Sequence, residues 1–183
     1  MMTGINFANK SHFAFGNKYK EKDKCIFISY KKEDVNEAVK IGDFIMENDI
    51  DIYLDIFDHD LKNAAKDENH ELITKHLEDG ISKSTHLLSI ISEKTRSSWW
   101  VPYEIGYSKG SKINIASLLL KDFDDTNIPS YLKISRIIYD KRGFEQYLNE
   151  ALVDYYCLFE KYSNENNSFI SNVNKLKDIL KST

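Results

Sequence analysis

Trp100 and Glu104 stand four residues apart in the run Ser97-Ser-Trp-Trp-Val-Pro-Tyr-Glu104. A helical turn spanning them puts the indole and the carboxylate on one face. Pro102 suits such a turn, because near a helix start its missing N–H has no partner to lose. Glu104 is then expected near the positive end of the helix dipole, which favours its ionised form. An indole beside a carboxylate can flank a sugar or a base while the charge faces a developing cation. Only one indole can share the face of Glu104, so Trp100 is the candidate. Trp99 and Tyr103 are expected to pack.

The elements that must position these groups alternate along the chain. Cys25-Ile-Phe-Ile-Ser-Tyr30 is a nearly continuous apolar run of strand length, as in a strand buried on both faces. Asp34, with Glu37 three residues on, opens a helix in the manner of a capping box. That helix carries Val35, Ala38, Val39, Gly42 and Ile45. Ile50–Asp55 alternates like an edge strand, and residues 56–69 are polar enough to predict a long loop, a gate or self-association surface. Leu72, Ile73, Leu77 and Ile81 mark a second helix, with Gly80 as its weak point. Strands follow at Thr85–Ile91, Ile113–Leu120 and Ser135–Tyr139. Phe144, Tyr147, Leu148, Leu152, Tyr155 and Phe159 define a long helix, and Ile170, Val173, Leu176 and Leu180 a last amphipathic one.

This order predicts an α/β fold, a flavodoxin-like doubly wound parallel five-stranded sheet with a C-terminal helical extension. The expected organisation is an N-terminal extension over 1–22, a domain over 23–162 and a C-terminal helix over 163–183. Ligands of such sheets bind beyond the carboxyl ends of the strands. That places Ser29, Tyr30 and Asp55 beside Trp100 as substrate-binding candidates. Each also has a plainer reading: a capping hydroxyl, a packed ring and a carboxylate starting a turn.

Composition narrows the function. The 25 basic and 29 acidic residues are mixed along the chain, so no basic stripe predicts a nucleic-acid partner. No run approaches membrane-spanning length, and the N-terminus lacks an apolar signal core. Cys25 and Cys157 form no metal spacing, which fits a reduced, cytoplasmic setting. His59, His70, His76 and His86 share no ligand spacing, so no metal is expected and these histidines should lie on surfaces or helix faces. No glycine-rich dinucleotide turn or phosphate-cradling loop is present. A receiver domain has the same strand order, but here the first strand leads into Lys31-Lys32 and the third ends Ile91-Ser92, so its acidic pocket cannot form.

The run Cys25–Asp34 resembles the opening Phe-Ile-Ser-Tyr strand of TIR domains. Asp51–Asp55 is similar to their second strand, residues 56–69 stand where their mobile BB loop lies, and Leu77–Ser92 resembles their next helix–strand pair. Trp100-Val-Pro-Tyr-Glu104 matches the W-x-x-x-E pattern shared by TIR enzymes that cleave NAD⁺. The resemblance covers residues 24–142, and its polar start and helical tail are similar to TIR-like proteins of bacterial Thoeris anti-phage defence. It implies that Glu104 is the catalytic carboxylate, that NAD⁺ is a substrate and no other cofactor is needed, and that the product is linear or cyclic ADP-ribose. Cleavage passes through an oxocarbenium-like ribose that a carboxylate stabilises, and nicotinamide leaves neutral without a general acid. It also implies self-association with other TIR protomers and a downstream effector that receives the nucleotide signal. A non-catalytic TIR scaffold and a nucleotide-binding sensor are the competing classes. A scaffold has no need of the Glu104 charge.

Overall fold

The strand Cys25–Ser29 (β1) is buried along its whole length, because both of its faces are covered. Ile26 and Ile28 point to one side of the sheet, while Cys25, Phe27 and Ser29 point to the other. In the computed structural model, which describes residues 4–9, 24–156, 170 and 172–182, β1 is an interior strand of a parallel sheet of order β2-β1-β3-β4-β5. The other strands are β2 (Asp51–Tyr53), β3 (His86–Ile91), β4 (Asn114–Leu119) and β5 (Arg136–Ile138). This is the flavodoxin-like order expected, and it puts the switch point between β1 and β3.

The helices are α1 (Val35–Glu47), α2 (His59–Lys66), α3 (His70–Ser82), α4 (Trp100–Gly110) and α5 (Lys141–Tyr156). One core, under α1 and α5, joins Ile26, Ile28, Ile41, Phe44, Leu88, Leu118, Phe144 and Leu148. The opposite core, under α3 and α4, joins Phe27, Tyr53, Leu77, Ile81, Leu87, Val101 and Ile105. α1 ends where Asp49 takes a φ of 62°, a left-handed position that Asn and Asp tolerate best among residues with a side chain. Among the described residues no helix is long and apolar enough to cross a membrane.

Several local expectations change. Residues 56–69 are not a long loop: a 3-10 turn (Asp55–Phe57) leads into α2. Asp58 caps α2 by accepting the N–H groups of Asp60 and Leu61 at 3.0 and 3.1 Å, and Leu61 and Ala64 are buried beneath it. Asn69 likewise caps α3, accepting Leu72 N–H at 3.0 Å. Asp34 makes no cap hydrogen bond to α1, since its carboxylate is taken by Ser92 and Lys94. Gly80 is no weak point, because a Cβ there would stand 2.7 Å from the Tyr53 ring.

Among the described residues of the expected C-terminal helix, 170 and 172–182, the regular element is a short 3-10 turn, Val173–Leu176. The apolar side chains Ile170, Leu176, Ile179 and Leu180 are buried in the core beneath α1 and α5. Lys121 N–H and Lys141 N–H donate to the carbonyls of Ile179 and Lys181, at 2.9 and 3.1 Å. These bonds tie the segment to the body of the domain. Cys157, Phe159 and the polar linker 163–168 lie outside the described residues.

Candidate active site

Ser29 closes β1, and its side chain faces the α3–α4 side because the strand alternates. Only 1% exposed, it donates a hydrogen bond from Oγ to Glu104 Oε2 at 2.5 Å, across 75 residues of sequence. Ser29 stands in register with Ser89 of β3, and Ser89 with Ser117 of β4. These small residues line the sheet face over which α4 packs. Upstream of α4, Ser92 and Thr95 form a capping box that turns the chain after β3, and Ser98 Oγ accepts Val101 N–H at 3.2 Å.

Glu104 is the fifth residue of α4 and 5% exposed. Burial pushes its carboxyl from 4.5 up to about 8, with Ser29 opposing the shift and the charge of Asp55 adding to it. The expectation of a carboxylate kept ionised by the helix dipole is therefore corrected. Loss of hydration outweighs a dipole effect worth about 0.3–1 kcal/mol. Glu104 therefore favours its protonated form at neutral pH.

Asp55 follows β2, beside β1 in the sheet, and its carboxyl is paired with the Tyr30 hydroxyl. Burial raises the pKa of Asp55, while the Tyr30 hydrogen bond opposes the rise. Burial and the adjacent Asp55 raise the Tyr30 hydroxyl far above its ordinary range, so it serves as a donor. Asp55 Oδ1 is buried and meets no hydrogen-bond partner among the described residues. Ser29, Tyr30, Asp55 and Glu104 thus converge at the carboxyl ends of β1 and β2.

Trp100 lies one turn before Glu104 and is 39% exposed. Its ring meets Tyr103 edge-on, centroids 5.9 Å apart at 90°, and Tyr103 donates to Glu78 at 2.5 Å. Tyr103 packs as expected. Trp99 does not: it is 90% exposed, because the start of α4 turns it away from the sheet. His86 is also corrected. It is 6% exposed at the start of β3, opposite end from this site, where its Nδ1 lies 2.9 Å from Thr85 Oγ1 and its ring abuts Tyr147.

Sequence reasoning missed the Asp34 anchor. Its carboxylate, 1% exposed, accepts Ser92 Oγ at 2.5 Å and Lys94 Nζ at 2.7 Å. This ties the connection after β1 to the one that leads into α4. An acidic residue before a helix has the look of a cap, so no local signal separates the two roles. The cap at Asp58 was missed with the helix it opens, although an acidic residue preceding Leu61 and Ala64 at helical spacing is a signal that could have found it.

A family model described as Thoeris protein ThsB, TIR-like domain, matches residues 27–122, more than half of the chain. The match spans Ser29, Tyr30, Asp55, Trp100 and Glu104. No curated protein matches the chain.

Proposed function

Because the chain belongs to the TIR-like domain family of Thoeris protein ThsB, we propose that it serves anti-phage defence as an NAD⁺ nucleosidase or cyclase with Glu104 as its catalytic carboxylate. The observation that carries this reading is the meeting of two carboxyl groups, the buried Glu104 and the half-buried Asp55, braced by Ser29 and Tyr30. Perturbed acids gathered at the carboxyl end of a parallel sheet mark a site built for charge rather than for packing.

The nicotinamide ring of NAD⁺ carries a positive charge, so its arrival favours ionisation of Glu104. As the bond between nicotinamide and ribose breaks, that charge passes to an oxocarbenium-like sugar facing the carboxylate. The bonding electrons leave with nicotinamide, which is neutral. In a site with little water the carboxylate stabilises the cation strongly. Ser29 holds the Glu104 carboxylate in place, Asp55 Oδ1 offers an acceptor for a ribose hydroxyl, and Trp100 supplies an aromatic wall. Capture of the sugar cation by water gives ADP-ribose and a proton. Capture by a nucleophilic group of the same molecule gives a cyclic isomer, and the burial of Ser29 and Glu104 favours this second route. The cyclic product is a signal for a separate effector. The exposed Trp99, at the start of the helix that carries Glu104, favours assembly with other TIR protomers.

The test is product analysis by mass spectrometry, with purified protein given NAD⁺ and with cells under phage challenge. Glu104→Gln keeps an acceptor for Ser29 but removes the charge. Its rate of nicotinamide release is expected to fall on the order of 10²–10³-fold, as when one electrostatic stabiliser is removed. Near-wild-type turnover by a folded variant sinks the assignment. Absence of any product from the wild type under both conditions favours the scaffold or sensor.

A further inference from the structure

Residues 4–9 lie along the outer edge of β2. Asn6 bridges Ile52 in parallel register, Ile52 N–H donates to the Ile5 carbonyl at 2.9 Å, and Phe7 N–H donates to the Ile52 carbonyl at 2.8 Å. Gly4 N–H donates to the Met46 carbonyl at 2.9 Å, and Ile5 N–H to the Asp51 carboxylate at 2.8 Å. Ala8 is buried and Phe7 packs against the core beneath α3 and α4.

Covering an edge strand needs no more than this ladder. The Asn6 side chain, 6% exposed, goes further and takes both backbone groups of Leu54. Its Oδ1 accepts Leu54 N–H at 3.1 Å and its Nδ2 donates to the Leu54 carbonyl at 3.3 Å, while Ala8 N–H also donates to Oδ1 at 3.0 Å. Leu54 directly precedes Asp55. A planar peptide bond makes the Leu54 carbonyl and the Asp55 nitrogen one rigid unit, so fixing the first orients the second.

We propose that residues 4–9 are a strap and that Asn6 is a positioning residue, holding the Leu54–Asp55 unit so that the Asp55 carboxyl faces Glu104. The inference rests on Glu104 as the reactive carboxylate of the site. Glu104 is faced by Ser29, Asp55 and Tyr30, and Asp55 in turn by Tyr30, Asp58 and Lys62. Releasing the strap lets Asp55 recede and water enter, and both changes ease ionisation of Glu104.

The experiment is a ¹³C NMR titration of the Glu104 carboxyl in the wild type, Asn6→Ala and Gly4→Ala, with amide exchange at Leu54. Gly4→Ala releases the strap without touching Asn6, because its Cβ would stand 2.2 Å from the Ile50 carbonyl oxygen. The expected result is faster exchange at Leu54 and a Glu104 midpoint lower by about one unit or more, tenfold in proton affinity, in both variants. An unchanged midpoint in a folded variant, or unchanged exchange at Leu54, overturns the proposal. Global unfolding of both variants also overturns it, since the strap would then be plain scaffolding. The titration needs no turnover, so a wild type that leaves NAD⁺ intact sinks the catalytic reading and leaves this test standing.

Discussion

Glu104 meets opposing demands. Burial favours the protonated acid, whereas the proposed stabilisation of a sugar cation needs the anion. The conflict has a consequence for stability. The folded-state value of about 8 exceeds the ordinary 4.5, so the folded protein binds more protons than the unfolded chain between those values. The Glu104 contribution is fully present below about 4.5 and is lost as pH rises through about 8, a loss on the order of a few kcal/mol. Urea denaturation of wild type and Glu104→Gln at pH 5 and pH 8.5 isolates it, because the other groups cancel in the difference. The Gln variant should gain relative stability at the higher pH, and parallel pH dependence would show a solvated carboxyl. At this scale Ser29, Tyr30 and Asp55 were candidates by strand end and Glu104 by its spacing from Trp100, and the structure brings the four together. The protonation state of Glu104 was not legible, since hydration is lost only when α4 closes on the sheet.

Elements carry their own tests, and two glycines make the sharpest pair. In an ordinary helix Gly→Ala gains about 0.5–1 kcal/mol. Gly106 in α4 has nothing within 4 Å of an added Cβ, so Gly106→Ala should raise the melting temperature. Gly80 in α3 abuts the Tyr53 ring, which is stacked on Phe27 at 5.3 Å and whose hydroxyl donates to Asp58 at 2.5 Å. The ring cannot swing aside without loosening the residue that caps α2. Gly80→Ala should therefore cost about 1–3 kcal/mol by overpacking, at about 2–4 °C per kcal/mol. Calorimetry showing equal shifts for both variants would refute this packing account. Four strands were legible as apolar runs between turn signals, and β2 by its alternation. α2 was missed because its buried face is narrow, two residues, amid charged ones.

For the whole molecule, the final segment decides how one face of the sheet is sealed. Leu180 is fully buried in the core beneath α1 and α5, far along the chain from the strands it covers. Leu180→Ala should cost about 2–5 kcal/mol through lost contacts and the cavity left behind. Chemical denaturation should show this as a lower midpoint at constant slope, and a change under about 0.5 kcal/mol would show the segment to be surface packing.

The sequence by itself determined the parallel α/β order, the strand ends at which a ligand is expected, and the carboxylate on α4. Each rests on a local pattern: strand-length apolar runs, alternation, and spacing along one turn. Only the tertiary structure decided that Asn6 grips Leu54, that Asp34 anchors the approach to α4, and that the C-terminal segment seals a core face. These contacts join residues far apart in the chain. Their partners are selected by which buried polar group or apolar surface would otherwise go unsatisfied, and that is settled only once the chain has closed.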